Sequence, residues 1–314
     1  MTSTLVPQHL PDAGPVHRVD RCARARDWAE IQERMLVPLH EAVYERLEVG
    51  PATRLLGLGC GSGLALLTAV SRGAVVTGVD PARPELLALA RQRLLPDAAL
   101  TKAPGAGLPK ALDATRARTR ARIVGGSPGD GDTAGAKTPA YTLVTAFEPI
   151  GCRAGDSEEL GELLAAAIPL AARGAAVVLT GWGPPERCAT AEVLRLAAGP
   201  ADPLPGAGRP RSARRDDLEE AARRAGLRPD GSGRVACPFG YADIDSAVRG
   251  LLSTGLFDAA VSATDQAQVD KELREALHPH RRQDATVWMP NVFRYLIGRV
   301  RPSGRLRARP SSGG

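Results

Sequence analysis

Apolar residues follow two kinds of pattern in the first third of the chain. Over residues 26 to 48 they recur at steps of three and four, which predicts one amphipathic helix with its apolar face toward a core. The apolar positions of that helix are Trp28, Ile31, Met35, Leu39, Val43 and Leu47. A strand, a helix, a second strand and a second helix are then predicted at 52–59, 63–73, 74–80 and 83–95. This order is typical of right-handed βαβ units on a parallel sheet.

The second half of the chain continues the alternation less regularly. A third strand is predicted at 120–125, inside a stretch rich in Gly, Pro, Ala and Arg that we expect to be a flexible loop over about 102–140. Four more strands are predicted at 141–147, 175–183, 233–241 and 287–300. Helices are predicted at 156–172, 186–198, 214–225, 243–254 and 264–277. The pattern therefore predicts a single α/β domain over residues 25–300, with a flexible segment at 1–24 and a disordered basic tail at 301–314.

Composition narrows the class of protein. The chain has 314 residues and a net charge of +6; 43% of its residues are hydrophobic and only 4% aromatic, which suits alanine-rich helices around a sheet. The last sixteen residues hold five arginines but no acid and no aromatic residue, so a nucleic-acid partner is disfavoured. No apolar run reaches the ~18 residues that a membrane span needs, and the N-terminal residues lack the apolar centre of a signal peptide. We therefore expect a cytoplasmic protein without a membrane partner.

The cysteines do not point to a metal or a disulfide framework. Cys22, Cys60, Cys152, Cys188 and Cys237 have no CxxC spacing and no histidine at metal-ligand spacing. We expect free, mostly buried thiols and no metal site.

The most informative stretch is the turn after the first predicted strand, LLGLGCGSGLALL. Glycines at 59, 61 and 63 let a ligand approach the main chain, and the turn aims backbone N–H groups at it. Their spacing is G-x-G-x-G; the dinucleotide pattern G-x-G-x-x-G fails in both registers, because Ser62 and Leu64 occupy the sixth positions. Asp80 ends the next strand, where a carboxylate can accept hydrogen bonds from both hydroxyls of a ribose. Together these features predict a site for a nucleoside-containing cofactor.

The segment LGLGCGSG resembles motif I of class I S-adenosylmethionine-dependent methyltransferases, and VTGVDPARPELLALARQRL is similar to the motif that follows it in that family. Further segments resemble the ubiquinone-biosynthesis-like, or type 11, branch in the same order: DWAEIQERMLVPLHEAVYERLEV, YTLVTAFEPI, LLAAAIPLAARGAAVVLTGWG and NVFRYLIGRV. The resemblance covers roughly residues 27 to 300. It implies a Rossmann-like seven-stranded methyltransferase sheet, mostly parallel with the last strand antiparallel, and helices on both faces.

The resemblance also implies roles for particular residues, with S-adenosylmethionine as the cofactor. The turn against the methionine part of the cofactor would consist of Gly59, Cys60, Gly61, Ser62 and Gly63. Asp80 would bind the ribose hydroxyls, with Pro81 at the adenine edge. Phe147, with its neighbours Thr145 and Ala146, would face the methyl sulfonium. All of these residues fall at the carboxyl ends of predicted strands, where open α/β sheets bind their ligands.

Two positions depart from the family pattern. The family usually has an acid two residues before the first motif glycine, where it binds the ammonium group of the cofactor; this chain has Gly57. An unreplaced contact of that kind is worth roughly 1.5–3 kcal/mol, which corresponds to about ten- to hundred-fold in affinity. Many relatives also carry an Asp after the third strand that contacts the adenine amino group, and here Asp130 or Asp132 could serve.

Glu148 is the preferred catalytic candidate, because it directly follows the fourth predicted strand, where the transferred methyl group would lie. A general base is needed only when the acceptor is a weakly acidic hydroxyl or a carbon acid. His40, one position off the apolar stripe of the first helix, is the second candidate. The alternative interpretations are a solvated or helix-capping acid for Glu148 and a boundary histidine for His40.

Two of the aromatic residues are candidates for contact with the acceptor. Trp182 ends the fifth predicted strand and, with Phe239, is a candidate wall of an apolar acceptor pocket. Trp28 and Trp288 are predicted to lie in the core.

The preferred function is transfer of a methyl group from S-adenosylmethionine to a small-molecule acceptor. The alternative is a catalytically weak or inactive methyltransferase-like protein that acts in binding or assembly, which the missing acid at Gly57 favours. A nucleic-acid methyltransferase is disfavoured, since FEPI after the fourth strand is a poor match to an Asn/Asp-Pro-Pro-Tyr-like run. A nicotinamide-dependent oxidoreductase is disfavoured by the glycine spacing.

Overall fold

The fold is built on one large sheet, seen in a computed structural model that describes residues 20–95, 120–129, 140–153, 155–194, 196 and 214–301. The strands are β1 Arg54–Leu58, β2 Val75–Val79, β3 Ala121–Val124, β4 Tyr141–Ile150, β5 Ala171–Trp182, β6 Arg228–Ala236, β7 Phe239–Tyr241, β8 Val287–Met289 and β9 Val292–Arg299. Seven of them form the sheet in the order β3-β2-β1-β4-β5-β9-β6. β1 to β5 pair in parallel, whereas β9 is antiparallel to both β5 and β6. The predicted mostly parallel sheet with an antiparallel last strand is therefore confirmed.

Helices cover both faces of this sheet. They are α1 Arg21–Asp27, α2 Val37–Arg46, α3 Leu64–Ser71, α4 Pro84–Leu94, α5 Asp156–Ala167, α6 Thr190–Leu194, α7 Asp217–Arg224, α8 Ile244–Ser253, α9 Asp258–Ala263 and α10 Gln266–Leu277. Buried side chains of α2, α3, α8 and α10 belong to one hydrophobic cluster, and those of α5 and α7 belong to a second. Strands contribute to both clusters because successive residues point to opposite faces; Leu143 of β4 joins the first and Val144 the second.

The N-terminal helical segment starts earlier than the periodicity over 26–48 predicted. α1 begins at Arg21, so residues 21–24, which we expected to be flexible, are helical. Asp20 caps this helix by accepting hydrogen bonds from two backbone N–H groups of its first turn. Arg24 donates two hydrogen bonds of 2.7 Å to Asp258 of α9. These contacts hold a short helix that has little apolar surface of its own.

The same segment is not one continuous α-helix. Between α1 and α2 the chain makes a π-helical turn at Trp28–Gln32 and a 3-10 turn at Glu33–Leu36. The N–H of Glu33 donates to the carbonyl of Trp28, five residues earlier. A π turn holds more residues than an α turn, so every side chain after it is rotated relative to a regular helix.

Proline divides each of the last two predicted strands. The segment 233–241 becomes the end of β6 and all of β7, with Pro238 between them, and 287–300 becomes β8 and β9, with Pro290 between them. Proline has no N–H to give to a sheet ladder, so a strand through its position is interrupted. β7 and β8 pair with each other in a separate two-stranded sheet instead of extending the large one.

Other predicted segments differ in length or lie outside the described residues. Within the described part of 186–198 there is a 3-10 turn at Pro185–Arg187 followed by α6, and α9 was not predicted. Most of the loop expected over 102–140, including Asp130 and Asp132, lies outside the described residues, as do residues 1–19 and 302–314.

The described residues contain neither a membrane-spanning helix nor a cluster of metal ligands. Among these residues, no helix combines the length and the apolar character needed to cross a lipid bilayer. In the same ranges no three His, Cys, Asp or Glu side chains come together as metal ligands would. All five cysteines have free thiols; Cys188 and Cys237 are buried and Cys22 is exposed.

Candidate functional site

A small, open pocket of about 40 Å³ lies at the carboxyl ends of β1 and β4. The main chain from Gly57 to Gly61 forms part of its lining. The polar and aromatic residues that line it include Trp28, Glu33, His40, Arg83, Thr145, Phe147 and Glu148. This is the edge at which open α/β sheets bind their ligands.

The turn after β1 has the left-handed backbone that favours glycine. The φ angles are +57° at Gly59 and +56° at Gly61. A Cβ on Gly59 would lie 3.3 Å from Glu148 Oε2, and a Cβ on Gly61 would lie 3.2 Å from Glu33 Oε1. The turn is therefore covered in part by two carboxylates, which the absence of side chains at Gly59 and Gly61 allows to approach the main chain.

Gly63 has a packing role. It precedes α3 with a φ of +81°, and a Cβ there would lie 3.1 Å from both Ala90 Cβ and Leu94 Cδ1 of α4. A glycine is needed here because α4 packs directly against the start of α3. Gly63 and its fully buried neighbour Ser62 lie behind the pocket, and neither is part of the lining.

Asp80 follows β2 and is 1% exposed. The N–H of Gly61 donates to its Oδ2 at 3.0 Å, which ties the end of β2 to the turn after β1. Arg83 also binds it: Nε donates to Oδ2 at 3.1 Å, and Nη2 lies 2.8 Å from the same oxygen. Asp80, which the sequence predicted to bind a ribose, is therefore covered by the guanidinium of Arg83, and Arg83 instead of Asp80 lines the pocket.

Arg83 continues from Asp80 to Glu148. Its Nη2 donates to Glu148 Oε2 at 2.6 Å and its Nη1 to Oε1 at 3.2 Å. Burial disfavours the charge on Arg83, but the carboxylates of Glu148 and Asp80 more than offset this and raise its pKa. We call these three side chains the Arg83 bridge. Its Glu148 side is 52% exposed, so solvent and salt weaken that half of the bridge.

Glu33 brings a buried carboxylate to the turn from the N-terminal segment. It is 6% exposed. Arg93 donates to its Oε2 at 2.9 Å, and the hydroxyl of Ser62 donates to the same oxygen. Oε1 accepts a long hydrogen bond, 3.4 Å, from the N–H of Leu64 in the first turn of α3. A negative charge at this end of a helix is favoured by the helix dipole.

Two buried polar atoms at the pocket have no hydrogen-bond partner among the described residues: Trp28 Nε1 and His40 Nδ1. Burial lowers the pKa of His40 to about 3, so its ring is neutral at physiological pH. The ring packs against Phe147 with centroids 4.6 Å apart. A buried polar group without a partner costs about 1–3 kcal/mol, and a ligand that supplies the partner recovers that cost.

The structure separates the predicted site residues into two groups. Six of them line the pocket: Gly59, Cys60, Gly61, Phe147, Glu148 and His40. Four lie behind or beside it: Ser62, Gly63, Asp80 and Pro81. Burial, followed by the charge of Asp80, raises the pKa of the Cys60 thiol to about 12, so this lining residue is a neutral thiol.

Two tryptophans predicted in the core lie elsewhere, since Trp28 lines the pocket and Trp288 is exposed, whereas Trp182 ends β5 as predicted. The rings of Trp182 and Phe239 pack together with centroids 5.9 Å apart, and both pack on Phe293. Neither residue lines the pocket at the turn. Trp288, predicted in the core, is 39% exposed and carries the Arg282 guanidinium 4.5 Å above its ring.

Sequence reasoning missed three residues of the site. Trp28 was predicted to be a core residue, and Glu33 and Arg83 were not singled out. Glu33 lies off the apolar stripe predicted for a regular helix, and it is a charged residue directly after a π turn, so the apolar periodicity gave no signal for it. Arg83 carried one signal: it is three residues from Asp80, within reach of an ion pair.

Comparisons with known proteins give likeness of fold alone. No protein-family model matches the sequence, and no curated protein matches it. A Bacillus halodurans protein with a provisional assignment as a methyltransferase superposes with a TM-score of 0.47 at 12% identity, covering 84% of this chain and 99% of that one. A SAM-dependent methyltransferase from Geobacter sulfurreducens, solved in complex with S-adenosyl-L-homocysteine, gives 0.40 at 17% identity over 84% and 91%. The [4+2]-cyclase SpnF gives 0.41 at 16% identity over 85% and 81%. Likeness at this level does not transfer an activity to this chain.

Proposed function

We propose that this protein transfers a methyl group from S-adenosylmethionine to a small-molecule acceptor. The observation that supports the proposal is the meeting of two features at one sheet edge. The turn at Gly59 and Gly61 exposes left-handed main chain to the pocket, and the N–H of Gly61 holds the carboxylate of Asp80 next to it. A glycine turn before a helix and an acid after the neighbouring strand together suit a nucleoside with a charged tail.

At the nucleoside end, Asp80 would accept hydrogen bonds from the ribose hydroxyls in place of those from Arg83. Arg83 therefore has to leave Asp80 when the cofactor binds. Its side chain is 28% exposed, and its other partner, Glu148, is half exposed, so the guanidinium can turn toward solvent without crossing the core. With that change the residues fit the nucleoside, and the exposed Pro81 would lie beside the adenine.

At the acceptor end, the candidates are Phe147, His40 and Glu148. S-adenosylmethionine supplies the methyl group as an activated sulfonium, so the protein has mainly to bind and align the two reactants. Phe147 offers an apolar surface, and the neutral His40 can orient an acceptor by a hydrogen bond. Glu148 is the candidate for accepting a proton from a hydroxyl acceptor, because its carboxylate lines the pocket and is released when Arg83 turns away.

Calorimetry with S-adenosylhomocysteine tests the cofactor assignment. We expect a one-to-one complex with micromolar affinity, and much weaker binding of NAD, which carries the same adenosine on a pyrophosphate. Absence of binding at millimolar S-adenosylhomocysteine would contradict the proposal.

Methyl transfer is a separate measurement. The protein is incubated with methyl-labelled S-adenosylmethionine and a panel of hydroxyl, amine and carbon-acid acceptors, and label in the extracted product is counted. Binding without transfer to any acceptor would favour the alternative, a methyltransferase-like binding or assembly protein.

A further inference from the structure

The position at which the resembled family carries an acid has no room for one in this chain. A Cβ on Gly57 would lie 2.8 Å from Leu66 Cδ2, and the other methyl of Leu66 would lie 2.4 Å from a Cβ on Gly78. Leu66 is 1% exposed and cannot move aside without repacking the core. The side chain of Leu66 thus fills the space that a carboxylate at position 57 would need.

A carboxylate from another part of the chain lies at the same turn. Glu33 lines the pocket, and its Oε1 would be 3.2 Å from a Cβ on Gly61. Its Oε2 is occupied by Arg93 and Ser62, whereas among the described residues Oε1 accepts only the 3.4 Å hydrogen bond from Leu64. A carboxylate oxygen has two lone pairs, so Oε1 can accept a further, shorter hydrogen bond from a cationic donor.

A hydrogen-bond donor lies beside that carboxylate. Trp28 Nε1 would be 3.4 Å from the same Cβ on Gly61, it lines the same pocket, and it has no partner among the described residues. An indole N–H can only donate, so the group that satisfies it must be an acceptor. One free acceptor position and one free donor therefore lie together above Gly61, and they complement the ammonium and the carboxylate of an α-amino acid.

We propose that Glu33 and Trp28 bind the amino-acid end of the cofactor: Glu33 Oε1 accepts a hydrogen bond from the ammonium group, and Trp28 Nε1 donates one to the carboxylate. The inference rests on the proposed function. Glu33, in the N-terminal helical segment, would supply the negative charge that the resembled family carries at position 57. Arg93, 2.9 Å from Glu33 Oε2, offsets part of the negative charge and lets a zwitterion bind without a net repulsion.

A pair of ligands isolates this contact. S-adenosylhomocysteine carries the amino-acid end, and 5′-methylthioadenosine has the same nucleoside and thioether without it. In Glu33→Gln we expect the affinity for S-adenosylhomocysteine to fall about tenfold or more, since a charge-assisted hydrogen bond is lost, while the affinity for 5′-methylthioadenosine stays the same. Trp28→Phe removes the N–H and keeps an aromatic ring; we expect about a three- to tenfold loss for S-adenosylhomocysteine alone.

The matched control is Glu30→Gln, which removes an exposed acid three residues away on the same segment and should leave both affinities unchanged. Glu33 also binds Ser62 and the start of α3, so its replacement can perturb the fold. A purely structural effect would weaken the binding of both ligands equally, and that result would overturn the inference. Unchanged affinity for S-adenosylhomocysteine in both Glu33→Gln and Trp28→Phe would overturn it as well. If the unmodified protein binds neither ligand, the proposed function itself fails. If it binds both and the ratio does not change in the variants, only the role of Glu33 and Trp28 fails.

Discussion

The two ends of the pocket differ in how their polar groups are paired. At the Arg83 bridge, the guanidinium satisfies Asp80 on one side and Glu148 on the other, at 2.6 to 3.2 Å. At the end near the N-terminal segment, Trp28 Nε1 and His40 Nδ1 have no partner among the described residues. At one end of the glycine turn the polar groups are thus already paired, and at the other end two buried polar atoms still need hydrogen-bond partners.

This difference predicts opposite effects of the two ends on ligand binding. A ligand at the bridge has to compete with the ion pair between Arg83 and Asp80. Its apparent affinity therefore falls in proportion to the fraction of molecules in which that pair is open. A ligand at the other end removes the cost of buried unpaired groups, about 1–3 kcal/mol each. The favourable binding free energy at the amino-acid end of the cofactor would then offset the free-energy cost of opening the Arg83 bridge at the ribose end.

Asp80→Ala should have the largest effect. It removes the proposed ribose ligand, the partner of Arg83 and the acceptor of the Gly61 N–H. We expect affinity for S-adenosylhomocysteine to fall at least about a hundredfold, and the free energy of unfolding to fall by about 2 kcal/mol, because a buried N–H loses a charged acceptor. Calorimetry and urea unfolding measure the two quantities.

The control for that variant is Asp80→Asn, which keeps an oxygen for the Gly61 N–H. It should recover most of the stability and little of the affinity. If Asp80→Ala binds the ligand as tightly as the unmodified protein, Asp80 does not touch the nucleoside and the cofactor assignment is wrong.

Arg83→Met should act in the opposite direction. It keeps most of the side-chain length and removes the competitor for Asp80, so we expect S-adenosylhomocysteine to bind about tenfold more tightly and to associate faster. Arg91→Met is the matched control, since Arg91 is an exposed arginine of α4 outside the bridge. Weaker binding in Arg83→Met would mean that Arg83 holds the ligand and does not exclude it.

His40 gives a smaller, pH-dependent effect at the unpaired end. Its folded pKa of about 3 lies below the usual 6.5 because burial disfavours the charged ring. The unfolded chain therefore takes up the proton first, and stability is lost as the pH falls below about 6.5. From about pH 6.5 to about pH 5.5 this group alone should reduce the free energy of unfolding by about 1 kcal/mol.

The comparison of variants checks this assignment. His40→Phe should flatten the pH dependence of urea unfolding in that window, whereas the exposed His278→Gln should leave it unchanged. An unaltered slope in His40→Phe would show that the imidazole is already charged or solvated in the folded protein.

Local sequence was sufficient for the parts of the site that depend on backbone conformation. Gly59 and Gly61 form the predicted glycine turn between β1 and α3, with left-handed backbone at both residues, and Asp80 directly follows β2. These features depend on a few consecutive residues. The ion pair of Asp80 with Arg83 spans only three positions, but the two other carboxylates at the turn could not be predicted. Glu148, which binds Arg83, and Glu33 come from segments 68 and 47 positions away from Asp80 and reach the turn only after the sheet and the N-terminal segment have packed.

The sequence by itself determined the class of the fold and the location of the pocket, because apolar periodicity sets the order of strands and helices and glycines set the turn between them. Only the tertiary structure decided what fills that pocket. Glu33 of the N-terminal segment lies beside Gly61, the packing of Leu66 on Gly57 excludes an acid from β1, and Arg83 lies between the carboxylates of Asp80 and Glu148. Each of these depends on side chains distant in sequence competing for one volume, which no local pattern records.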